Sequence, residues 1–188
     1  MTRSDINVSM VRPHLQDVPR RPLPKGYVLC TLEYGDEPQL AGLLSAAFED
    51  VWDVSRVAAS LTRAPEVRAV YGVFRRDQLV ATASSQHLPE RDPEAGFVHW
   101  VATHPDYRAL GLAAALLAHV LGDFSARGYL RARLDTQPER LPALRLYLKF
   151  GFVPEYEPEY EVAGVDQREL WSNIFAELLG AKRVSETP

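Results

Sequence analysis

An arginine and a glycine stand just before a long helical pattern, at Arg108 and Gly111. Apolar residues precede them, so the stretch Phe97–Gly111 is typical of a strand, a polar turn and a helix entrance. The first backbone N–H groups of a helix have no partner inside it and carry the positive end of its dipole. A guanidinium group suits phosphate oxygens, and a glycine lets a ligand approach the backbone closely. The stretch therefore predicts a phosphate-binding site at a helix N-terminus.

The spacing RALGLA, from Arg108 to Ala113, resembles the R/Q-x-x-G-x-G/A signature of the GNAT superfamily, the acyl-CoA-dependent N-acetyltransferases. The preceding run VATHP at 101–105 is similar to the V-x-P-x-x-R run of that family. Alone, the first pattern fits an ordinary strand–turn–helix with a glycine at the helix start equally well. A second motif favours the family, because ALRLYLKFGF at 143–152 resembles its signature A-x-x-L-Y-x-x-x-G-F.

This resemblance implies a fold and a co-substrate. The fold is α/β (α+β), with a mixed β-sheet splayed near its centre and flanked by helices, and the co-substrate is acetyl-CoA. Main-chain groups of Val101 and Thr103 would pair with the pantetheine arm, and the N–H of Val101 or Ala102 would polarise the thioester carbonyl. The pyrophosphate would lie on six consecutive backbone amides, those of Arg108, Ala109, Leu110, Gly111, Leu112 and Ala113.

Two side chains are candidates for proton transfer. Tyr147 stands one turn before the end of its helix and, by the resemblance, protonates the leaving thiolate; the alternative is a tyrosine that only packs in the core. Many family members carry a glutamate base at the position of Phe97, which cannot accept a proton. His99 lies two residues further along the strand, on the same side, and has the side-chain chemistry of a base. A core histidine bonded to a neighbour is the alternative for His99.

Composition excludes several classes of protein. The chain has 188 residues, of which 46% are hydrophobic and 24% charged, as in ordinary soluble proteins. Its net charge of −4 argues against a general nucleic-acid binder. No apolar run approaches the ~20 residues that span a bilayer, and we expect no membrane partner and no signal peptide. The chain has one cysteine, Cys30, which excludes an internal disulfide and fits a cytoplasmic location. We expect its side chain to be a buried structural thiol. The histidines show no metal-ligand spacing, so no metal is expected.

The order of patterns predicts the domain organisation. Residues 1–25 are polar and rich in proline, which indicates an irregular arm, and residues 26–188 are predicted to form a single GNAT-like domain. Two β-rich runs, Val67–Arg75 and Leu79–His87, indicate a hairpin. A capping-box pattern at Asp166–Glu169 predicts a C-terminal helix. This helix would cover either the sheet or a second subunit, and in the second case the protein would be a homodimer.

The aromatic side chains Phe48, Trp52 and Trp100 either belong to the acceptor wall that the family builds near its first helices or are plain core. The run from Asp135 to Tyr147 also resembles acetyltransferase domains related to mycothiol synthases, which implies a small-molecule amine as acceptor.

Three functions fit the sequence. The first is an N-acetyltransferase that moves an acetyl group from acetyl-CoA to a primary amine, of a small molecule or a peptide, by direct attack in a ternary complex. The alternative is a non-catalytic acyl-CoA-binding or sensing module of the same fold, which Phe97 favours. The third is a binder of another phosphate ester that uses the same strand–helix geometry. The sequence does not identify the acceptor.

Overall fold

The computed structural model describes residues 6–48, 50–156 and 166–184. These residues form seven strands: β1 Val8–Arg12, β2 Val28–Thr31, β3 Val67–Arg75, β4 Gln78–Gln86, β5 Ala95–Thr103, β6 Arg131–Thr136 and β7 Val153–Glu155. They also form five α-helices: α1 Glu37–Phe48, α2 Val54–Val57, α3 Leu112–Ala126, α4 Leu141–Lys149 and α5 Gln167–Val184. Helix α2 continues directly as a π-helical turn, Ala58–Thr62. The mixed α/β class that the sequence predicted is confirmed.

Internal contacts divide the chain into two compact units. The central unit is His14–Ala132, and its strands follow the order β2-β3-β4-β5 with every neighbouring pair antiparallel. The terminal unit is Met1–Pro13 with Arg133–Pro188, and its strands follow the order β6-β1-β7, with β1 antiparallel to β7. The helix α3 belongs to the central unit, whereas α4 and α5 belong to the terminal unit.

Part of the predicted irregular arm is a strand instead. Residues Val8–Arg12 form β1, in which Val8 and Met10 are buried. Val11 of this strand pairs with Val153 of β7. The first proline of the arm is Pro13, so the segment before it is free to form a strand. The high proline content of the arm as a whole therefore did not indicate this short strand. The division into residues 1–25 and 26–188 otherwise stays a prediction.

The β3–β4 hairpin follows the sequence pattern closely. Arg75 pairs with Gln78, so the turn between the strands consists of Arg76 and Asp77. Arg76 has φ of 54°, the left-handed conformation that tight hairpin turns require. The apolar residues on one face of these strands pack against α1 and the turn that follows α2, in a core that contains Leu40, Leu44 and Val57 among others. Ala102 of β5, the next strand of the sheet, belongs to the same core.

Gly96 on β5 allows α3 to pack close to the sheet. A Cβ at this position would overlap the ring of Phe124, a fully buried residue of α3. We expect Gly96→Ala to lower the free energy of unfolding by about 1–3 kcal/mol, because the ring has no free space to move into. The matched control is Gly122→Ala on α3, where an added Cβ meets nothing within 4 Å. Urea denaturation should show the control unchanged or more stable by up to ~1 kcal/mol; equal stability of Gly96→Ala and the original protein would contradict the packing argument.

Candidate active site

The N-terminus of α3 is not capped by a side chain. Its N-cap residue is Gly111, at φ of 79°, and within the described residues no side chain accepts a hydrogen bond from the first turn of this helix. Helix α2 shows the usual arrangement, since the Asp53 carboxylate accepts from the backbone N–H of Arg56 at 2.7 Å. Among the described residues, the first N–H groups of α3 therefore receive no side-chain cap.

The turn that leads into α3 contains a second residue with positive φ, and this one is strained. Ala109 has φ of 62°, a conformation that costs an alanine about 1–2 kcal/mol. Successive backbone N–H groups in a turn of this kind can point toward one side and make a concave anion site. Arg108, Ala109, Leu110 and Gly111 are all exposed. The N–H of Arg108 already donates to the carbonyl of Pro105 at 3.3 Å, so the exposed donors of this turn begin at Ala109.

Arg108 adds a positive charge to this turn. Its Nη2 donates to the carbonyl of Ala47 at the end of α1, at 3.3 Å. A guanidinium has five N–H donors, so this contact orients the side chain and leaves further donors for a ligand. The predicted residues Arg108–Ala113 therefore lie together at one helix end, with the cation and the uncapped amides in the same segment.

The turn is held in place by contacts with the β3–β4 hairpin. The hydroxyl of Tyr107 donates to Oε1 of Gln78 at 3.1 Å, and the guanidinium of Arg75 lies 5.8 Å from the Tyr107 ring centroid. The N–H of His104 donates to the carbonyl of Val80 at 2.9 Å. These contacts fix the path of the chain between β5 and α3, and so the direction of the helix N-terminus.

Strand β5 contains a β-bulge at the residues next to the predicted pantetheine segment. His99 pairs with Ser84 and Ala102 pairs with Thr82, so Trp100 and Val101 together face one residue of β4. Trp100 has φ of 44°, which is rare for a bulky residue and typical of functional sites. A bulge interrupts the hydrogen-bond ladder locally. Val101, Ala102 and Thr103 thus follow directly after a point where β5 turns away from regular pairing with β4.

The bulge brings aromatic rings together. The ring centroid of Trp100 lies 4.6 Å from Trp52, 5.4 Å from Phe48 and 5.4 Å from His99. The guanidinium of Arg56 stacks 4.0 Å above the ring of Trp52. Nε1 of Trp52 and Nε1 of Trp100 are both buried without a hydrogen-bond partner in the described structure. The three residues named as an acceptor wall therefore form one cluster beside His99, and two of them present unused donors.

Phe97 and His99 share a face of β5, as strand alternation predicted. Phe97, Val98 and His99 pair in unbroken register with Gln86, Ser85 and Ser84, so the bulge begins only after His99. Phe97 is buried and lies under the guanidinium of Arg91, at 5.2 Å. His99 is half-buried. The position of the usual glutamate is therefore apolar core, and the histidine lies nearer to solvent.

Tyr147 belongs to the terminal unit and is buried on α4. Burial raises the pKa of its hydroxyl to about 12, with a smaller opposing effect of the Arg140 charge. Its ring packs edge-on against Phe152 at 5.9 Å. The adjacent motif glycine, Gly151, has φ of 76°, and an added Cβ there would meet the guanidinium of Arg12, which donates to the carbonyl of Phe150. The residues of the second motif therefore form the end of α4 and hold a buried tyrosine with a neutral hydroxyl there.

The thiol of Cys30 is exposed, so the expectation of a buried structural thiol is wrong. Strand β2 is at the edge of the central unit's strand order, and the alternation of its short sequence did not reveal which face is covered. Partial burial and the Asp36 charge raise the pKa of this thiol, which disfavours the thiolate.

Sequence reasoning missed two features of the site. The left-handed Trp100 has no signal in the sequence, because a bulge depends on the register of the partner strand. Ser84, which contacts His99, becomes visible only when the hairpin and β5 are placed in register. In the described part of the chain, no helix is long and apolar enough to span a membrane, and no group of three or more ionisable residues is placed to bind a metal. Metal-free chemistry stays a prediction.

The sequence profile of the acetyltransferase (GNAT) family matches residues 26–152. Among solved structures, an acetyltransferase of the GNAT family from Novosphingobium aromaticivorans DSM 12444 is 28% identical, with a TM-score of 0.60 over 79% of this chain and 59% of that chain. The ribosomal-protein-S18-alanine N-acetyltransferase from Escherichia coli is 22% identical, with a TM-score of 0.60 over 69% of this chain and 79% of that one.

A third structure was determined with a ligand that includes CoA. AAC(6')-Iy in complex with the bisubstrate analogue CoA-S-monomethyl-acetylneamine is 18% identical, with a TM-score of 0.57 over 70% of this chain and 92% of that one. The match with the first structure, from Novosphingobium aromaticivorans, covers only 59% of that protein's chain, so the remainder of that protein has no counterpart in the matched region. No curated protein matches the sequence significantly.

Proposed function

Because the chain belongs to the acetyltransferase (GNAT) family, whose fold uses acetyl-CoA, we propose that it transfers an acetyl group from acetyl-CoA to a primary amine of a small molecule or a peptide. The observation that carries this proposal is the uncapped N-terminus of α3, which begins at a left-handed glycine with Arg108 in the same turn. A doubly charged pyrophosphate is the ligand for which such a row of donors is suited. Cytoplasmic location and a homodimer remain predictions.

In this proposal the pyrophosphate lies on the segment from Arg108 to Ala113. The backbone amides from Ala109 to Ala113 bind it, because the N–H of Arg108 already donates to the carbonyl of Pro105. The helix dipole and the guanidinium both favour its negative charge. Main-chain groups of Val101 and Thr103 bind the pantetheine arm in the manner of an added strand. The bulge at Trp100 supports this role, because it removes main-chain groups of β5 from regular pairing with β4 at this place.

The proposed reaction is direct attack in a ternary complex. His99 takes a proton from the acceptor ammonium, and the free amine then attacks the thioester carbon. The N–H of Val101 or Ala102 stabilises the negative charge on the carbonyl oxygen. The C–N bond forms first, and the C–S bond then breaks as Tyr147 supplies a proton to the sulfur. The nitrogen, which still carries two hydrogens, gives up its second proton, and this proton restores the Tyr147 hydroxyl through solvent as the neutral amide is released. Burial raises the pKa of Tyr147 to about 12, so its hydroxyl is present in the protonated form that can donate at neutral pH.

The cluster of Phe48, Trp52 and Trp100 is the proposed acceptor wall. Aromatic faces attract cations, and an amine substrate arrives protonated at neutral pH. Similar proteins have acceptors of both proposed kinds, since one is named for a protein alanine and another was crystallised with an acetylneamine analogue.

The experiment that tests the proposal combines binding with turnover. The full chain is titrated with acetyl-CoA by calorimetry and then incubated with acetyl-CoA and an amine panel that includes an alanine-initiated peptide, neamine and simple diamines. We expect release of free thiol above the hydrolysis background with at least one amine. Binding of acetyl-CoA without turnover across the panel would instead support a non-catalytic acyl-CoA-binding module, which the apolar Phe97 favours. Failure to bind CoA would contradict both functions and leave another phosphate ligand.

A further inference from the structure

Ser84 on β4 lies directly opposite His99 on β5, and its side chain is completely buried. Its Oγ is 2.9 Å from the main-chain carbonyl oxygen of His99 and 3.4 Å from Nδ1 of the same residue. One hydroxyl group therefore contacts both the backbone and the ring of the proposed base. Neither sequence motif of the family includes this serine.

The hydroxyl of Ser84 has one proton, and the two distances indicate which of its two partners receives that proton. A carbonyl oxygen can only accept a hydrogen bond, so the shorter contact, to the His99 carbonyl, is a donation by Ser84. The oxygen of Ser84 can then only accept from Nδ1. That contact is favourable when Nδ1 carries a proton, whereas an unprotonated Nδ1 would place two lone pairs against each other. The bond made by one ring nitrogen in this way fixes which nitrogen is protonated.

We propose that Ser84 is a positioning residue that holds neutral His99 in the tautomer protonated at Nδ1. This inference rests on the proposed function in which His99 is the base. In this tautomer Nε2 is the unprotonated ring nitrogen, and its lone pair accepts the acceptor's proton. The opposite tautomer would offer a donor where the reaction needs an acceptor. After the transfer, the imidazolium keeps its Nδ1–H bond to Ser84, so the positioning survives the proton transfer.

The tautomer can be measured independently of catalysis. Protein labelled with ¹⁵N-histidine is studied by long-range ¹H–¹⁵N NMR at a pH well above the ordinary histidine pKa of ~6.5, and the His99 signals are assigned by their absence in His99→Gln. We expect a protonated Nδ1 and an unprotonated Nε2. In Ser84→Ala we expect a shift toward the tautomer protonated at Nε2. A wild-type His99 protonated at Nε2, or an unchanged tautomer in Ser84→Ala, would overturn the proposal.

The neighbouring serine provides a matched control. Ser85 is equally buried, but its Oγ has no hydrogen-bond partner in the described structure. Ser85→Ala removes the same group from the other face of β4 and should leave the His99 tautomer unchanged. If Ser84→Ala does not fold, the His99 tautomer is measured in Ser84→Thr instead. This variant keeps the hydroxyl and should keep the tautomer protonated at Nδ1.

Turnover then separates this proposal from the proposed function. With an accepted amine, Ser84→Ala should lower kcat about 10-fold to 100-fold, less than the ~10²–10⁴-fold that a general base contributes, and Ser84→Thr should restore it. Acetyl-CoA affinity should not change. An Nδ1–H tautomer in a protein that acetylates no amine would uphold the assignment of Ser84 and contradict the proposed function. Full turnover in His99→Gln would show that His99 is not the base, and the contact with Ser84 would then have no role in catalysis.

Discussion

Gly111→Val is expected to remove detectable acetyl-CoA binding while the protein stays folded. The added side chain would extend from the N-cap of α3 into space that no protein atom occupies within 4 Å, so the protein itself offers no clash. A ligand on the first-turn amides would meet the new methyl groups. Loss of two charge-assisted hydrogen bonds, at roughly 1.5–3 kcal/mol each, already weakens binding by more than ~100-fold. Calorimetric titration with acetyl-CoA measures the effect.

Backbone strain has to be separated from this steric effect. Gly111 has φ of 79°, and valine in that conformation strains the helix start by about 1–2 kcal/mol. Gly128 follows the other end of the same helix with φ of 83° and also has nothing within 4 Å of an added Cβ. Gly128→Val therefore carries similar strain without a ligand site and should bind acetyl-CoA normally. Equal loss of affinity in both variants, or normal affinity in Gly111→Val, would contradict the assignment of the anion site.

The helix-entrance half of the site could be predicted from sequence because its signals are local. A long apolar stripe predicts α3, and a glycine before it predicts a helix start that a ligand can approach closely. The hairpin was equally predictable, since two β-rich runs flank a short polar turn. In each case the residues that define the feature lie within one stretch of chain, so no knowledge of the partner was needed.

The strand half of the site could not be predicted, because its features depend on which residues face each other across strands. The run from His99 to Thr103 gives no sign of a bulge, and the shift appears only in its pairing with β4. The contact between Ser84 and His99 has the same origin. Strand β1 was missed for a different reason: five residues carry little periodic signal, and its stability comes from pairing with β7, far away in sequence.

Tyr147→Phe is expected to lower kcat by about 10²-fold or more, within the ~10²–10⁴-fold range of general acids, while acetyl-CoA affinity stays unchanged. A thiol has a pKa of ~8.5, roughly three to four units below the value of about 12 to which burial raises the pKa of Tyr147. Complete transfer to a fully formed thiolate is therefore uphill. The hydroxyl is most useful during C–S cleavage, when charge grows on sulfur and a donor that is protonated at every working pH can share its proton. Phenylalanine keeps the ring packing against Phe152 and removes only that donor.

A second buried tyrosine separates catalysis from packing. Tyr71 of the central unit is also buried, which raises the pKa of its hydroxyl, and an interaction with the carboxylate of Asp123 raises this pKa further. Tyr71→Phe loses that buried interaction and should lower the melting temperature with little change in kcat. Tyr147→Phe should show the reverse, a nearly unchanged melting temperature and a large loss of kcat in steady-state thiol release. If Tyr147→Phe retains full kcat with an accepted amine, the proton must reach the sulfur from another donor, and Tyr147 is only a core residue.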